Sequence, residues 1–593
     1  MSSPRVPPPL AAALAAAALA CSCREAPPAG ETPRAAPATP AAAANPAQTP
    51  GASSHALLVF SASLAGQIVP CGCSPDQRGG LPRAAAALAK LREVDPRLVF
   101  VDAGDTLFAS ARPPAKALAP QARLKARYLA EADALLGAAA RVLGARDLAL
   151  GPAFAAETAF GLPLLDAGGA PVPGARAGLL VRASGDVPVG IFAAGLGEDP
   201  AKTIAARAAE LRAQGARIVV LVLHPRGDRA LSGAEALLPA AREAAVDLVV
   251  LGRCDDPATD PPRIAPGEPP LFALEGHGQS LLRIDLEVPA TAAPSAKVFL
   301  ARGSAGRDAT LKELDERIAL TRERAAAADP RMRELLEAKV AELRQRREAL
   351  ASAVEVAPAG AIVATPSFLP LDKSVGEDPR AAALVARYDA EVAELNLAEA
   401  RKLPASCPRP ARGEPAYVGV SAKVAGGASC ASCHPTEAAF WVRTPHSRAY
   451  ETLVKVKKQF SLDCISCHVT GWQQPGGVCR IDRTHVGGPG LAVGGRVAGL
   501  GRRDVQCEMC HGPAGEHAGD PPEHIATKVP EQVCKRCHEA ENSPHFEDRR
   551  YRPWIVGPGH GEPLAAGAAP RSRGEIDSGG KAGPNAAAGS TTP

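Results

Sequence analysis

Cys430-Ala-Ser-Cys433-His434, Cys464-Ile-Ser-Cys467-His468, Cys507-Glu-Met-Cys510-His511 and Cys534-Lys-Arg-Cys537-His538 all lie between residues 430 and 538. Two thiols at the Cys-x-x-Cys spacing add across the two vinyl groups of one haem, and the adjacent His reaches the iron from the same side. Paired Cys-x-x-Cys motifs also build zinc ribbons, but a ribbon does not need a His after every pair. Four repeats, each closed by His, predict four covalently attached c-type haems. Their attachment residues are Cys430, Cys433, Cys464, Cys467, Cys507, Cys510, Cys534 and Cys537. Their proximal iron ligands are His434, His468, His511 and His538.

The rest of the 593-residue chain fits an address outside the cytoplasm. Fifteen Cys are unusual for a cytosolic protein, and c-type haem attachment takes place beyond the cytoplasmic membrane. Arg5 and the short apolar run Leu10 to Leu19 form an export signal over residues 1–20, too short to span a bilayer as a stable helix. Ala18-Leu19-Ala20-Cys21 places Cys21 where a lipid-anchored cysteine belongs, although Ala18 stands where a lipobox has Leu. Acylation of Cys21 and ordinary signal cleavage both stay open. The expected location is the periplasm or the outer membrane. Residues 21–54 are Pro/Ala-rich with few large apolar side chains and form a tether. A net charge of +4 on this length gives no reason to expect a nucleic-acid partner.

Between residues 55 and 300 the pattern is α/β. Apolar strand-like runs at Ala56–Phe60, Leu98–Val101, Val187–Ala194, Ile218–Leu223 and Val246–Leu251 alternate with Ala-rich helical stretches, among them Arg83–Glu93, Ala122–Ala140 and Ala201–Ala213. Strands alternating with helices predict a buried sheet covered by helices. Residues 305–352 are charged, with Leu311, Leu314, Ile318 and then Leu335, Val340, Leu343 at three-four spacing, and Asp329-Pro330 interrupts them. This predicts a helical hairpin. Residues 353–406, with an extended piece at Ala361–Leu371 and a helix at Pro379–Ala400, are expected to connect the two halves. Residues 561–593 lack periodicity and form a tail.

The α/β region carries a resemblance. Pro70-Cys71-Gly72-Cys73, Gly79-Gly80-Leu81-Pro82-Arg83, Val101-Asp102-Ala103-Gly104-Asp105 and Asp147-Leu148-Ala149-Leu150-Gly151 resemble the extracellular metallophosphoesterases that include the bacterial 5'-nucleotidases. The resemblance implies two metal ions held between strand ends to clamp a phosphate ester. The implied ligands are mostly gone. Ser63-Leu64-Ala65-Gly66 stands for Asp-x-His-Gly, Gly144-Ala145-Arg146 for Gly-Asn-His, and Gly252-Arg253-Cys254-Asp255 for Gly-His-x-His. Asp105 and His224 remain, too few for a dinuclear centre. The fold is expected to persist without its chemistry. Cys71 and Cys73 are left between a structural pair and a metal or redox role.

Residues 407–560 resemble the tetrahaem cytochrome c-554 type family. The resemblance rests on Tyr417-Val418-Gly419, Trp441, His446-Ser447-Arg448-Ala449, His468-Val469-Thr470-Gly471, Val505-Gln506 before the third motif, Gly512-Pro513 after it, His517, and Asn542-Ser543-Pro544-His545-Phe546. All three Trp of the chain lie in this quarter. Short helices at each motif, long loops and little sheet are expected, with the haems as the core. Six further His are candidates for the opposite iron face: His446, His485, His517, His524, His545 and His560. The family-like motifs rank His446 and His517 first, His545 next, then His485 and His524. Cys407 and Cys479 lie outside the motifs, and a disulfide between them stays open.

The fold class expected is therefore multidomain: an α/β metallophosphoesterase-like sandwich, a helical hairpin, then a mainly helical and loop tetrahaem domain. The expected function is an exported tetrahaem cytochrome passing electrons between redox partner proteins of the periplasm or membrane. A redox enzyme with one open haem acting on a small nitrogen or sulfur species is the alternative. A phosphoesterase fused to a cytochrome comes third.

Overall fold

A computed structural model of the chain describes residues 53–70, 77–227, 229–253, 268–290, 292, 298–301, 304–326, 330–352, 357–404, 407, 414–421, 429–493, 495–519, 526–539, 543 and 546–563. Cys21, Cys71, Cys73, Cys254, His524 and His545 lie outside these residues.

Twelve strands build the α/β part: β1 Ser54–Ser61, β2 Val99–Asp102, β3 Ala140–Leu143, β4 Leu164–Asp166, β5 Gly178–Arg182, β6 Pro188–Ala194, β7 Ile218–Leu223, β8 Leu248–Leu251, β9 Leu271–Ala273, β10 Ser280–Val288, β11 Val298–Leu300 and β12 Ile362–Pro370. They form a seven-stranded mixed sheet in the order β11-β12-β10-β1-β2-β3-β4 and a five-stranded sheet in the order β5-β6-β7-β8-β9. β1 to β4 run parallel, as do β6 to β9.

Both faces of these strands are covered, which is why their sequences are continuous apolar runs without alternation. Leu58 and Phe60 of β1 point between the sheets, against Val101, Ile191, Val220 and Phe272. Leu57 and Val59 point the other way, under helices Leu81–Val94, Ala119–Leu135 and Pro379–Arg401. Helices Pro200–Ala213 and Leu238–Glu243 cover the outer face of the second sheet.

Three readings change. The Ala-rich stretch expected to be helical through Ala140 stops at Leu135, and Ala140 begins β3. The strand hides behind alanines and a charge: Arg141 of β3 is fully buried, donating to Asp133 at 2.6 Å and to the carbonyls of Ala130 and Thr158. The segment expected as a connector supplies β12, which pairs with β10 from Ser280↔Pro370 to Glu287↔Val363. Its helix Pro379–Arg401 closes the outer layer. Its extended piece cannot be told from a linker by local pattern, because only half its residues face a core. The helical hairpin, Ser304–Ala326 and Pro330–Ser352, is thus an insertion between β11 and β12, zipped by Leu314, Ile318, Val340 and Leu343. Leu335, expected in that seam, is 67% exposed.

The C-terminal quarter has helices at each motif: Cys430–Cys433, Leu462–His468, Glu508–His511 and Glu531–Cys534. Its described sheet is two short ribbons, Leu491–Val493 with Arg496–Ala498 and Gly557–Pro558 with Gly561–Glu562. Cys407 and Cys479 form a disulfide. No described helix is long and apolar enough to cross a membrane.

Candidate haem sites and a remnant metal pocket

The eight motif cysteines are free of disulfides. Their thiols are neighbours across motifs: Cys430 of the first lies near Cys507 of the third, Cys510 of the third near Cys534 of the fourth, and Cys537 of the fourth near Cys467 of the second. The motifs therefore neighbour one another in the order first, third, fourth, second. Burial pushes the Cys507 thiol up to about 12 and the Cys510 thiol up to about 11, so both are protonated thiols in the chain without haem.

The histidines also pair across motifs. The ring centres of His434 and His517 are 6.2 Å apart, those of His446 and His538 6.2 Å, and those of His511 and His560 6.1 Å. With metal–nitrogen bonds of about 2 Å and about 1 Å from Nε2 to the ring centre, two imidazoles on opposite faces of one metal have centres about 6 Å apart. The three spacings match those of two ligands of a six-coordinate iron.

The second ring nitrogen sets which one is available. Nδ1 of His468 lies 2.5 Å from the Ala449 carbonyl, and Nδ1 of His511 lies 2.6 Å from the Ala526 carbonyl. His560 Nδ1 contacts the Ile555 carbonyl, and His538 Nδ1 lies 3.1 Å from Ser543 Oγ. A carbonyl oxygen only accepts, so in His468, His511 and His560 Nδ1 carries the proton and Nε2 keeps a lone pair for a metal. Burial pushes His446 down to about 4, with His538 and His468 adding to the effect, which favours its neutral form. Thiols in pairs, a buried neutral imidazole and trans ring spacing fit haem c.

The loops that carry these residues are tied together by the residues just ahead of the third motif. Asp504 accepts from the backbone N–H of Tyr450 and of Gly499, both at 2.9 Å, and its own N–H donates to the His468 carbonyl at 3.1 Å. Val505 donates to the His446 carbonyl at 3.1 Å and accepts from Trp441 Nε1 at 2.9 Å. Glu508, buried inside the third motif, accepts from Val418, Gly419 and Ala514. Gly471 has φ 68°, and a Cβ there would lie 2.7 Å from the Tyr417 ring. Residues 417–419, 441, 446–449, 468–471 and 505–513 are thus parts of one frame.

Residues 429–512 match the family described as Cytochrome c554 and c-prime. Cytochrome c-554 of Nitrosomonas europaea is 32% identical over 106 residues, which are 15% of this chain and 39% of that protein. The C-terminal quarter resembles cytochrome c-554. The chain spans well under half the length of that relative. Covalently bound haem c is what the cytochrome c-554 family implies for this quarter.

Within the cytochrome c-554-like quarter, His446 and His517 face proximal histidines, and His485 is exposed with no described ring facing it. His560 is a candidate that the family-like motifs leave unranked. It belongs to no family-like stretch, and its signal is local: Gly559 and Gly561, at φ 92° and 82°, bend the chain so that His560 turns back towards His511. Among the described residues no imidazole pairs with His468.

The α/β sandwich holds a second cluster, at the carboxyl ends of its parallel strands. Asp105, fully buried at φ 53°, accepts from the Arg146 backbone N–H at 2.9 Å. Its Oδ2 lies 3.8 Å from Arg146 Nε and 4.0 Å from Arg253 Nε. His224 Nδ1 is 4.0 Å from Asp105 Oδ1, and its Nε2 donates to the Ala103 carbonyl at 2.7 Å. Asp147 accepts four backbone N–H groups, from Asp105, Thr106, Leu107 and Gly144. Burial, then the nearby Asp105, pushes its carboxyl up to about 6. Two guanidinium groups therefore face the carboxylate that the sequence resemblance assigns to metal. Among the described residues no three His, Cys, Asp or Glu gather as a metal site.

Solved structures similar to the chain include the calcineurin-like phosphoesterase YfkN from Bacillus subtilis, 12% identical, covering 57% of this chain and 98% of that one at TM-score 0.36. The 5'-nucleotidase precursor from Thermus thermophilus is 15% identical, covering 73% and 74% at TM-score 0.37. The NAD nucleotidase of Haemophilus influenzae is 13% identical, covering 65% and 68% at TM-score 0.36. The N-terminal half resembles these phosphoesterases.

Proposed function

We propose that this chain is an exported tetrahaem c-type cytochrome, lipid-anchored at Cys21, that carries electrons between periplasmic or membrane redox partners. The observation that carries the reading is the set of three cross-motif histidine pairs, 6.1–6.2 Å apart, beside eight thiols outside any disulfide. Bound haem supplies one-electron cycling between ferric and ferrous iron. Cys430 and Cys433, Cys464 and Cys467, Cys507 and Cys510, Cys534 and Cys537 would each hold one. His434 with His517, His538 with His446 and His511 with His560 would supply paired Nε2 ligands, leaving no open face at those three. The Nδ1–H bonds to carbonyls fix the ring rotation and raise ligand basicity. Neighbouring motifs in the order first, third, fourth, second give electrons one continuous route.

The test is low-temperature EPR of the oxidised holoprotein beside its intact mass. Four haems, all of them low-spin, support the carrier. Zinc at the motifs, or fewer than four haems, overturns it.

One observation favours a second reading. The described residues give His468 no opposite imidazole, and His524 and His545 lie outside them; if the haem of the second motif took no second imidazole, it would present an open iron face to a small nitrogen or sulfur species. The phosphoesterase reading is opposed by Arg146 and Arg253, which bring positive charge to the place a metal would need.

A further inference from the structure

Helix Pro379–Arg401 carries a buried stripe at four-residue spacing: Leu384, Tyr388, Val392, Asn396 and Ala400. Leu384, Tyr388 and Val392 pack into the outer core of the sandwich. Ala400, with Leu397 beside it, packs instead with Tyr450, Ile465 and Cys464 of the second haem motif. The polar member of the stripe, Asn396, sits at the junction and is 3% exposed. Its Nδ2 donates to Gln121 Oε1 at 2.5 Å and to the Phe460 carbonyl at 2.8 Å. Gln121, on the sandwich helix Ala119–Leu135 and 2% exposed, uses the same Oε1 to accept from the Leu462 N–H at 2.9 Å. One turn further on, Lys125 pairs with Asp463 at 2.8 Å.

The sandwich therefore grips Phe460, Leu462 and Asp463, the residues that lead directly into Cys464. Packing alone would hold this junction loosely. Two buried amides with shared, directional bonds allow one arrangement, and leaving either unpaired is unfavourable. The Lys125 pair is partly exposed and adds little.

We infer that Gln121 and Asn396 are positioning residues for the haem carried by Cys464, Cys467 and His468, so that the sandwich sets the environment of that one haem. The inference rests on the tetrahaem reading. It gives the phosphoesterase-like half a task that needs no metal: it is the rigid wall against which the second motif is built.

The test uses full-length holoprotein. Gln121→Met keeps the side-chain length and removes the acceptor; Asn396→Leu removes the donor; Gln121→Glu keeps an acceptor. Intact mass is read first, and a wild type with fewer than four haems overturns the tetrahaem reading and this inference with it. With four present, Gln121→Met and Asn396→Leu should each shift the EPR signal and midpoint potential of one haem, or lose that haem. It should be the haem missing from a Cys464→Ala/Cys467→Ala variant. The other three should stay as in wild type, and Gln121→Glu should restore the shifted one. Four unchanged signals overturn the inference, as does a shift of all four together, which would mean general loosening.

Discussion

The ring of His446 faces the ring of His538 across 6.2 Å, although one precedes the second motif and the other closes the fourth. On the proposed reading, a haem would take its second imidazole from a different part of the chain than its cysteines. His446→Ala is therefore expected to convert the haem of Cys534 and Cys537 to high spin and shift its potential, leaving the haem of the first motif unchanged. His517→Ala should do the same to the first motif and His560→Ala to the third. EPR of each variant against the matching double-cysteine variant makes the assignment. A change at the first motif on His446→Ala would contradict the pairing.

Intact mass after acid-acetone extraction should report four haems retained on the mature chain. Cys430→Ala with Cys433→Ala should remove one and lower the thermal stability of the C-terminal quarter. Val420, Trp441, Val442 and Ala498 form only a small apolar cluster beside Cys430 and Cys507, so the macrocycle is a large share of what packs there.

Asp105 is expected to be structural. Asp105→Asn removes the partner that Arg146 and Arg253 share at a fully buried position. Removing one partner of a buried charge pair costs on the order of 3 kcal/mol, read by denaturant unfolding. Nucleotide hydrolysis with added manganese or zinc should be absent before and after the change. Metal-dependent turnover abolished by Asp105→Asn would restore an enzyme reading for the sandwich.

The chemistry of the C-terminal quarter was legible because it is local. Cys-x-x-Cys-His is contiguous, and the stretches that resemble cytochrome c-554 are the ones that bond to each other, Asp504 to His468 and Val505 to His446. The sandwich was legible as alternating elements, since β1, β6 and β7 are apolar on both faces. β3 was not, because Arg141 looks solvated until Asp133 is placed beside it. Pairing was the least legible. Gly559 and Gly561 mark a bend at His560 and Ala361–Leu371 reads as extended, but neither says that His560 meets His511 or that β12 lies beside β10, because each partner arrives from far away in the chain.

The Cys407–Cys479 disulfide closes a loop of 72 residues around the first two haem motifs. By loop-closure entropy such a bridge contributes about 4.4 kcal/mol. Cys407→Ala with Cys479→Ala should lower the melting temperature of the holoprotein by several degrees while all four haems remain. Loss of haem in this variant would mean the bridge is needed for attachment and not only for stability. Alkylation of native protein, with and without reductant, should show these two thiols released only by reduction.

His468 separates carrier from enzyme. Its Nδ1–H is committed to the Ala449 carbonyl at 2.5 Å, which leaves Nε2 as the nitrogen that would hold an iron, and the remaining candidates His524 and His545 lie outside the described residues. An iron held there on one face alone is high-spin and has room for water or a small ligand. For the carrier, wild-type EPR should show four low-spin haems; one high-spin haem that vanishes in Cys464→Ala/Cys467→Ala marks the enzyme. Nitric oxide should bind that haem quickly in the reduced protein and leave the other three alone. His446→Ala should create a high-spin haem that takes nitric oxide, calibrating what an opened face looks like in this protein. Four low-spin haems in the wild type, inert to nitric oxide, would place a sixth ligand on His468's haem and leave electron transfer as the only reading.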